Sequence, residues 1–497
     1  MNFAKIYSAQ TVLLNAQIID VEIDILKGLN AFTIVGLPDK AVEESRDRVS
    51  AAIKNTGFDS PKQKNKKVVV SLAPADVKKE GPSFDLAIAL AYMLAYKDPD
   101  TGRHLISFNP EKKLFLGELS LDGKLRGITG VLPRIIEAKK QGFKEIYLPL
   151  ENAREAALID GISIYGAKTL REIIDHLNDK QDFYLEEAPK TKPDTPTYSS
   201  SSIEFDDIKG NSTAKRGLLI AASGGHNIAL YGPPGTGKTM LARAFNAILP
   251  PLSFNDALEV TGIHSIAGKL DTPLITTAPF RSPHHTSSYV AIIGGGIYPK
   301  PGEVTLAHKG VLFLDEFPEF DRRVIETLRQ PLEDAHVSIS RAKGSAKFPA
   351  DFILVASMNP CPCGNRGSNK GCICSPINIE RYRRKLSGPI IDRIDMWIEV
   401  AKVEYEDLSK KVERTGEGEG MRSEVERVRA IQKERFAQRK HLSTNSQINA
   451  RELLEIVELS PRVKQILNQL AETHKMSAGR YHRIIKLART IADIEKS

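Results

Sequence analysis

The stretch "HNIALYGPPGTGKTMLARAFNAIL" constrains this chain more than any other. A short apolar run, Ile228 to Tyr231, leads into G-x-x-x-x-G-K-T, and an amphipathic helical pattern follows. Strand, glycine loop and helix in that order form a phosphate-binding P-loop. Its glycines let successive backbone N–H groups face an anion at a helix N-terminus. The residues Gly232-Pro233-Pro234-Gly235-Thr236-Gly237-Lys238-Thr239 are therefore the expected nucleotide cradle, with Lys238 reaching the β and γ oxygens of ATP and Thr239 placing a hydroxyl on Mg²⁺. A parallel α/β domain has to surround it.

Two further apolar runs end in polar groups suited to that site. "GVLFLDEFPEF" is a buried-strand pattern ending in Asp315 and Glu316. Asp315 suits hydrated Mg²⁺, and Glu316 suits the general base that polarises the attacking water. "FILVASMNP" ends in Asn359, whose neutral amide can hydrogen-bond the γ-phosphate or the water, the role called sensor 1. Arg393 in "SGPIIDRIDMWIEV" is placed to serve a neighbouring subunit's nucleotide, and Arg480 in "MSAGRYHRIIKLARTIAD" opens a helix as a sensor 2 would. An arginine finger supplied in trans implies a ring, with a hexamer expected. P-loop, Asp-Glu, Asn-tipped strand and helical lid follow one another in the order of AAA+ ATPases.

All four cysteines of the 497-residue chain, Cys361, Cys363, Cys372 and Cys374, stand in "NPCPCGNRGSNKGCICSP" directly behind Asn359. One tetrahedral S₄ site with structural Zn²⁺ is expected; an iron–sulfur cluster and free thiols are the alternatives. The N-terminus lacks the apolar core of a signal peptide, and the longest apolar run, "LAIALAYMLAY", is too short to span a bilayer. A cytoplasmic location is the expectation. The net charge of +8 permits polyanion binding without establishing it.

Composition divides the chain. Residues 1–180 alternate β-rich runs with helical patterns, a mixed α/β reading, and 181–203 is a Pro/Ser/Thr-rich linker. Residues 204–404 carry the ATPase with the four-cysteine insertion at 359–376, 405–426 read as a charged, Gly-punctuated connector, and 427–497 as a helical lid. Between Lys238 and Asp315, roughly 252–303 exceeds a minimal core and includes "FRSPHHTSS" and "GGGIYPKPGE". His284 and His285 there read as polar packing near the nucleotide rather than as a metal pair, because adjacent side chains point apart in extended chain. "HVSISRAKGSAKFPADF" is a β-hairpin pattern with Arg341, Lys343 and Lys347 at or near its tip. These are candidate DNA-backbone contacts, a solvated hairpin being the alternative.

"VGLPDKAVEESRDRV", "GELSLDGKLRGITGVLPRIIEA", "FRSPHHTSSYVAIIGGG", "NPCPCG" and "SGPIIDRID" together resemble the ComM/YifB group of Mg-chelatase-like AAA+ ATPases, end to end. The resemblance implies a hexameric, ATP-driven DNA motor of the kind that promotes branch migration during natural transformation, with ATP, Mg²⁺ and single-stranded or branched DNA as ligands. A protein-remodelling or chelatase-type ring is the rival reading. The first block also resembles a Lon protease proteolytic domain, with Ser83 at the nucleophile's position. The matching lysine position is Leu132, and Arg134 cannot act as a base, so protease activity is not expected. Scaffolding the ring or holding DNA is the expected work of that block; Lys62, Lys64, Lys66 and Lys67 are candidate phosphate contacts, with a solvated basic loop as an equal alternative.

Overall fold

A computed structural model describes residues 2–62, 66–98, 101–178, 183–191, 203–296, 299–341, 344–367, 371–403, 416–439 and 441–497. Lys64, Lys343, linker residues 192–202 and connector residues 405–415 lie outside the described residues. No helix among those described is long and apolar enough to cross a membrane. The chain divides into two units, Met1–Asp194 with Thr261–Ile275, and Thr195–Val260 with Thr276–Ser497.

The first unit is built on a seven-stranded mixed sheet, in the order Ala31–Val35, Lys66–Ala73, Asn15–Lys27, Phe3–Val12, Lys113–Phe115, Glu145–Pro149 and Ser163–Ala167. Alternation sets the faces: Ile19, Val21, Ile23 and Ile25 are buried while Asp20, Glu22 and Asp24 point away from that core. The apolar run read as a core helix is Asp85–Ala95, packed on nearly every side. Asp85 at its start is fully buried and held by Arg48 at 2.8 Å. The linker's first part is not a free tether. Ala188 N–H donates to Ile164 O at 2.7 Å, and Leu185 packs on the core.

Thr261–Ile275, which the sequence places in the ATPase insertion, belongs to this first unit. A buried polar knot explains it. Ser265 Oγ donates to the Glu155 carboxylate, and Gly130 N–H donates to Ser265 O at 3.1 Å. Arg134 is buried in the same region, and burial lowers its pKa to about 10, partly offset by Glu155. Ser83 Oγ is buried with no hydrogen-bond partner among the described residues. The nearby amine Lys79 donates to the Pro74 carbonyl instead.

The second unit holds a five-stranded sheet in the order Phe280–Arg281, Val311–Leu314, Ile353–Met358, Ile228–Tyr231 and Met396–Glu399, every neighbouring pair parallel. Its first strand in the chain, Ile228–Tyr231, is flanked by later ones on both sides, so connections diverge from it. The crevice at its C-terminal end is where parallel sheets bind ligands.

Among the described residues four C-terminal helices follow: Glu417–Arg435, Ala450–Ile456, Pro461–Thr473 and Ala478–Ile494. The first begins inside the stretch read as a connector, which therefore stops well before residue 426. Its free N–H groups at Glu417 and Gly418 donate to Asp206, at 3.1 Å each. Met421 and Val425 are buried in the ATPase core. The cap comes from a residue far back in the sequence, so local composition could not reveal it.

Candidate active site

Four side chains converge at the C-terminal ends of three adjacent strands. The P-loop turns on Gly235 and Gly237, both at positive φ (+78° and +89°), and delivers Lys238 to the first turn of the helix Lys238–Ala247. Gly232 is needed for a different reason: a Cβ there would meet Val400 O at 2.2 Å. Lys238 Nζ donates to Gly232 O and Pro233 O, both at 2.8 Å, and lies 3.3 Å from Asn359 Oδ1. Burial pushes the Lys238 pKa below its ordinary value, and the charges of Asp315 and Glu316 partly offset that. An anionic phosphate would counter that shift by favouring the charged ammonium.

Thr239 Oγ1 donates to Asp315 Oδ2 at 2.9 Å. The other carboxylate oxygen accepts from Ser357 Oγ and, at 3.0 Å, from Glu316 N–H. Thr239 and Asp315 thus face one another as an oxygen pair suited to a hard divalent cation. Ser357 was not among the expected site residues. Period-two alternation could have found it, since Ser357 lies in the strand Ile353–Met358 two residues before Asn359, which follows directly on the strand's end. Glu316 follows Asp315 at φ +52°, with its side chain 54% exposed.

The two arginines form a separate group. Arg393 donates to Pro389 O at 2.7 Å and pairs with Glu333. Arg480 lies 3.9 Å from Asp392 at the start of its helix, and Arg483 lies 3.7 Å from the same carboxylate. Within this chain both expected arginines therefore contact Asp392 or Glu333 rather than the P-loop.

The four cysteines come together as expected. Cys361 Sγ lies 3.4 Å from Cys363 Sγ and 3.6 Å from Cys372 Sγ, and all four sulfurs fall within 4.8 Å of one another. A tetrahedron of 2.3 Å Zn–S bonds has S···S edges of about 3.8 Å, so the residues fit such an ion. The loop touches the nucleotide cradle: a Cβ on Gly364 would meet Pro234 Cδ at 2.8 Å.

The hairpin strands are His336–Arg341 and Gly344–Pro349, pairing Arg341 with Gly344. Lys347 is exposed but pairs with Ser338, so it sits on the body of the hairpin rather than at its tip. The reason is the length of the ladder: the pairs Ile339 with Ala346 and Ser340 with Ser345 separate Lys347 from the closing pair.

Residues 204–408 match the family described as magnesium chelatase, subunit ChlI, residues 21–152 match the subunit ChlI of Mg-chelatase, and residues 416–497 match that subunit's C-terminal family. The chain is 39% identical to Competence protein ComM of Haemophilus influenzae, covering 100% of this chain and 94% of that protein. Its identity to the protein YifB of Escherichia coli K12 is also 39%, again over 100% of this chain and 94% of the relative. A stretch of 98 residues, 20% of this chain and 21% of the relative, is 37% identical to DNA repair protein RadA of Streptococcus pneumoniae.

Proposed function

Because the chain belongs to the Mg-chelatase-like AAA+ ATPases that include ComM and YifB, we propose that it works as a hexamer coupling ATP hydrolysis to DNA translocation and branch migration. The observation that carries the reading is the convergence of Lys238, Asn359, Thr239 and Asp315 at the C-terminal end of one parallel sheet, in a chain similar end to end to a competence protein. Lys238 and the loop N–H groups would bind the β and γ phosphates. Thr239 and Asp315 would hold Mg²⁺, which supplies charge neutralisation at those oxygens. Glu316 takes the proton of the attacking water, and Asn359 orients that water or the γ-phosphate. Arg393 is the finger offered to the next subunit, and Arg480 completes the site as sensor 2.

Structural Zn²⁺ in the four-cysteine loop would stiffen the insertion between Asn359 and Arg393. Arg341, Lys343 and Lys347 are the proposed phosphate contacts of the DNA channel. Support for DNA comes from what the relatives are named for, competence and DNA repair. The family description as a magnesium chelatase subunit favours the rival reading, a ring that remodels a partner without DNA.

ATP hydrolysis measured with and without single-stranded and forked DNA, across a salt series, separates the two. A DNA motor gives stimulation that falls steeply with salt, with a slope of about −0.7 per phosphate contacted on single strands. No stimulation by any DNA at low salt refutes the motor.

A further inference from the structure

The loop between the strand Phe280–Arg281 and the helix Tyr289–Ile293 reaches the proposed general base. His285 Nδ1 lies 3.3 Å from Glu316 Oε2. The imidazole is itself held from two sides. The His284 ring lies at 4.2 Å, and the buried Phe320 presents its ring nearly perpendicular at 6.4 Å. The turn beneath is closed: Ser287 N–H donates to His284 O at 2.9 Å, and Ser288 Oγ caps the following helix by accepting from Ala291 N–H at 3.2 Å. His284 Nδ1 accepts from Thr286 N–H at 3.3 Å, so the two histidines do not offer a paired ligand set.

Glu316 is the opposite case. It is more than half exposed, and among the described residues no hydrogen bond from its own segment holds the carboxylate. A flexible glutamate spends most of its time in rotamers that cannot reach the water. A general base acts from those within hydrogen-bond reach of its proton. His285 Nδ1, 3.3 Å from Oε2, is the neighbouring group within reach to supply that constraint.

We propose that His285 is the positioning residue for Glu316. In the tautomer protonated at Nδ1, the imidazole donates to Oε2, fixes the carboxylate plane and leaves Oε1 to take the proton. The inference rests on reading Glu316 as the base. It also gives the loop that carries His285 a route to the chemistry, since anything that shifts this loop shifts Glu316.

The test is steady-state ATP hydrolysis and nucleotide binding by the full chain with Mg²⁺, comparing wild type, His285→Phe, His285→Asn and Glu316→Gln. His285→Phe keeps a ring between His284 and Phe320 while removing the donor; His285→Asn restores an N–H donor. The expected result is a fall in kcat of about tenfold for His285→Phe, with KM and nucleotide Kd within about twofold, and recovery of most of it in His285→Asn. Adding His285→Phe to Glu316→Gln should lower turnover no further, because both act on one step. Wild-type kcat in His285→Phe overturns the proposal. So does equal impairment in the Phe and Asn variants, or a loss expressed in Kd. Wild-type turnover in Glu316→Gln would instead remove Glu316 as base. A crippled Glu316→Gln beside an unaffected His285→Phe sinks the present inference alone.

Discussion

Gly364→Ala tests whether the cysteine loop and the P-loop work as one body. The new Cβ would stand 2.8 Å from Pro234 Cδ and 3.1 Å from Pro234 Cγ, where ordinary contact begins at 3.4 Å. Both atoms belong to a ring fixed in the cradle and cannot rotate away, so the two loops must part by about 0.6 Å. Positioned groups tolerate about 0.5 Å of displacement, and a shift of 1 Å can cost about a hundredfold in rate. A loss of roughly tenfold in kcat/KM for ATP is therefore expected. Backbone strain is a separate effect, since Gly364 has φ +78° and an alanine there costs about 1–2 kcal/mol.

Gly367→Ala separates the two contributions. Gly367 has the same φ of +78°, lies in the same loop, and its Cβ would meet nothing within 4 Å. Hydrolysis and fluorescent-nucleotide binding, measured beside thermal melts of both variants, give the comparison. Both should lose similar stability, and Gly364→Ala alone should lose ATP affinity and turnover. Equal activity in the two variants would refute the mechanical link.

Metal analysis of native protein should find close to one Zn²⁺ per chain, and its removal by a chelator should lower both the melting temperature and ATP affinity; four freely titratable thiols with no zinc would refute the site. Asp493→Ala should destabilise the second unit by about 3–5 kcal/mol, read by urea denaturation, because it strands Arg435 and Arg489 without their shared, buried partner. The same carboxylate predicts an acid limb of stability. Burial alone would raise its pKa, but Arg435, Asn445 and Arg489 outweigh that and hold it below the ordinary carboxylate value. Its contribution is thus complete above about pH 4 and is lost as the pH falls through the depressed folded value. Melts between about pH 6 and 3 should show a shallower acid limb in Asp493→Ala than in wild type, since other paired carboxylates such as Asp351 and Glu259 keep theirs.

The candidate ATP site is legible because each of its parts is a local pattern. A P-loop announces itself in eight residues, and an apolar run ending in Asp315 or Asn359 places that side chain at a strand's C-terminal end with no knowledge of what lies beside it. The four thiols were legible for the same reason, their confinement to one loop. What stayed hidden are pairings between distant segments. Ser265 on Glu155, Asp206 on the helix beginning at Glu417, and Ser357 on Asp315 each join residues more than forty positions apart. Hydrophobic periodicity carries no trace of such a partner, apart from the two-residue spacing of Ser357 and Asn359 at the end of the strand Ile353–Met358. The two arginines show the limit most sharply: a sequence can nominate Arg393 and Arg480, but their grouping around Asp392 and Glu333 is a property of the packed chain. The same distinction applies to Glu316 and His285. The apolar run before it nominates Glu316, and the sequence reads His285 only as polar packing on the nucleotide side. The 3.3 Å contact that ties one to the other spans two loops that no local pattern connects.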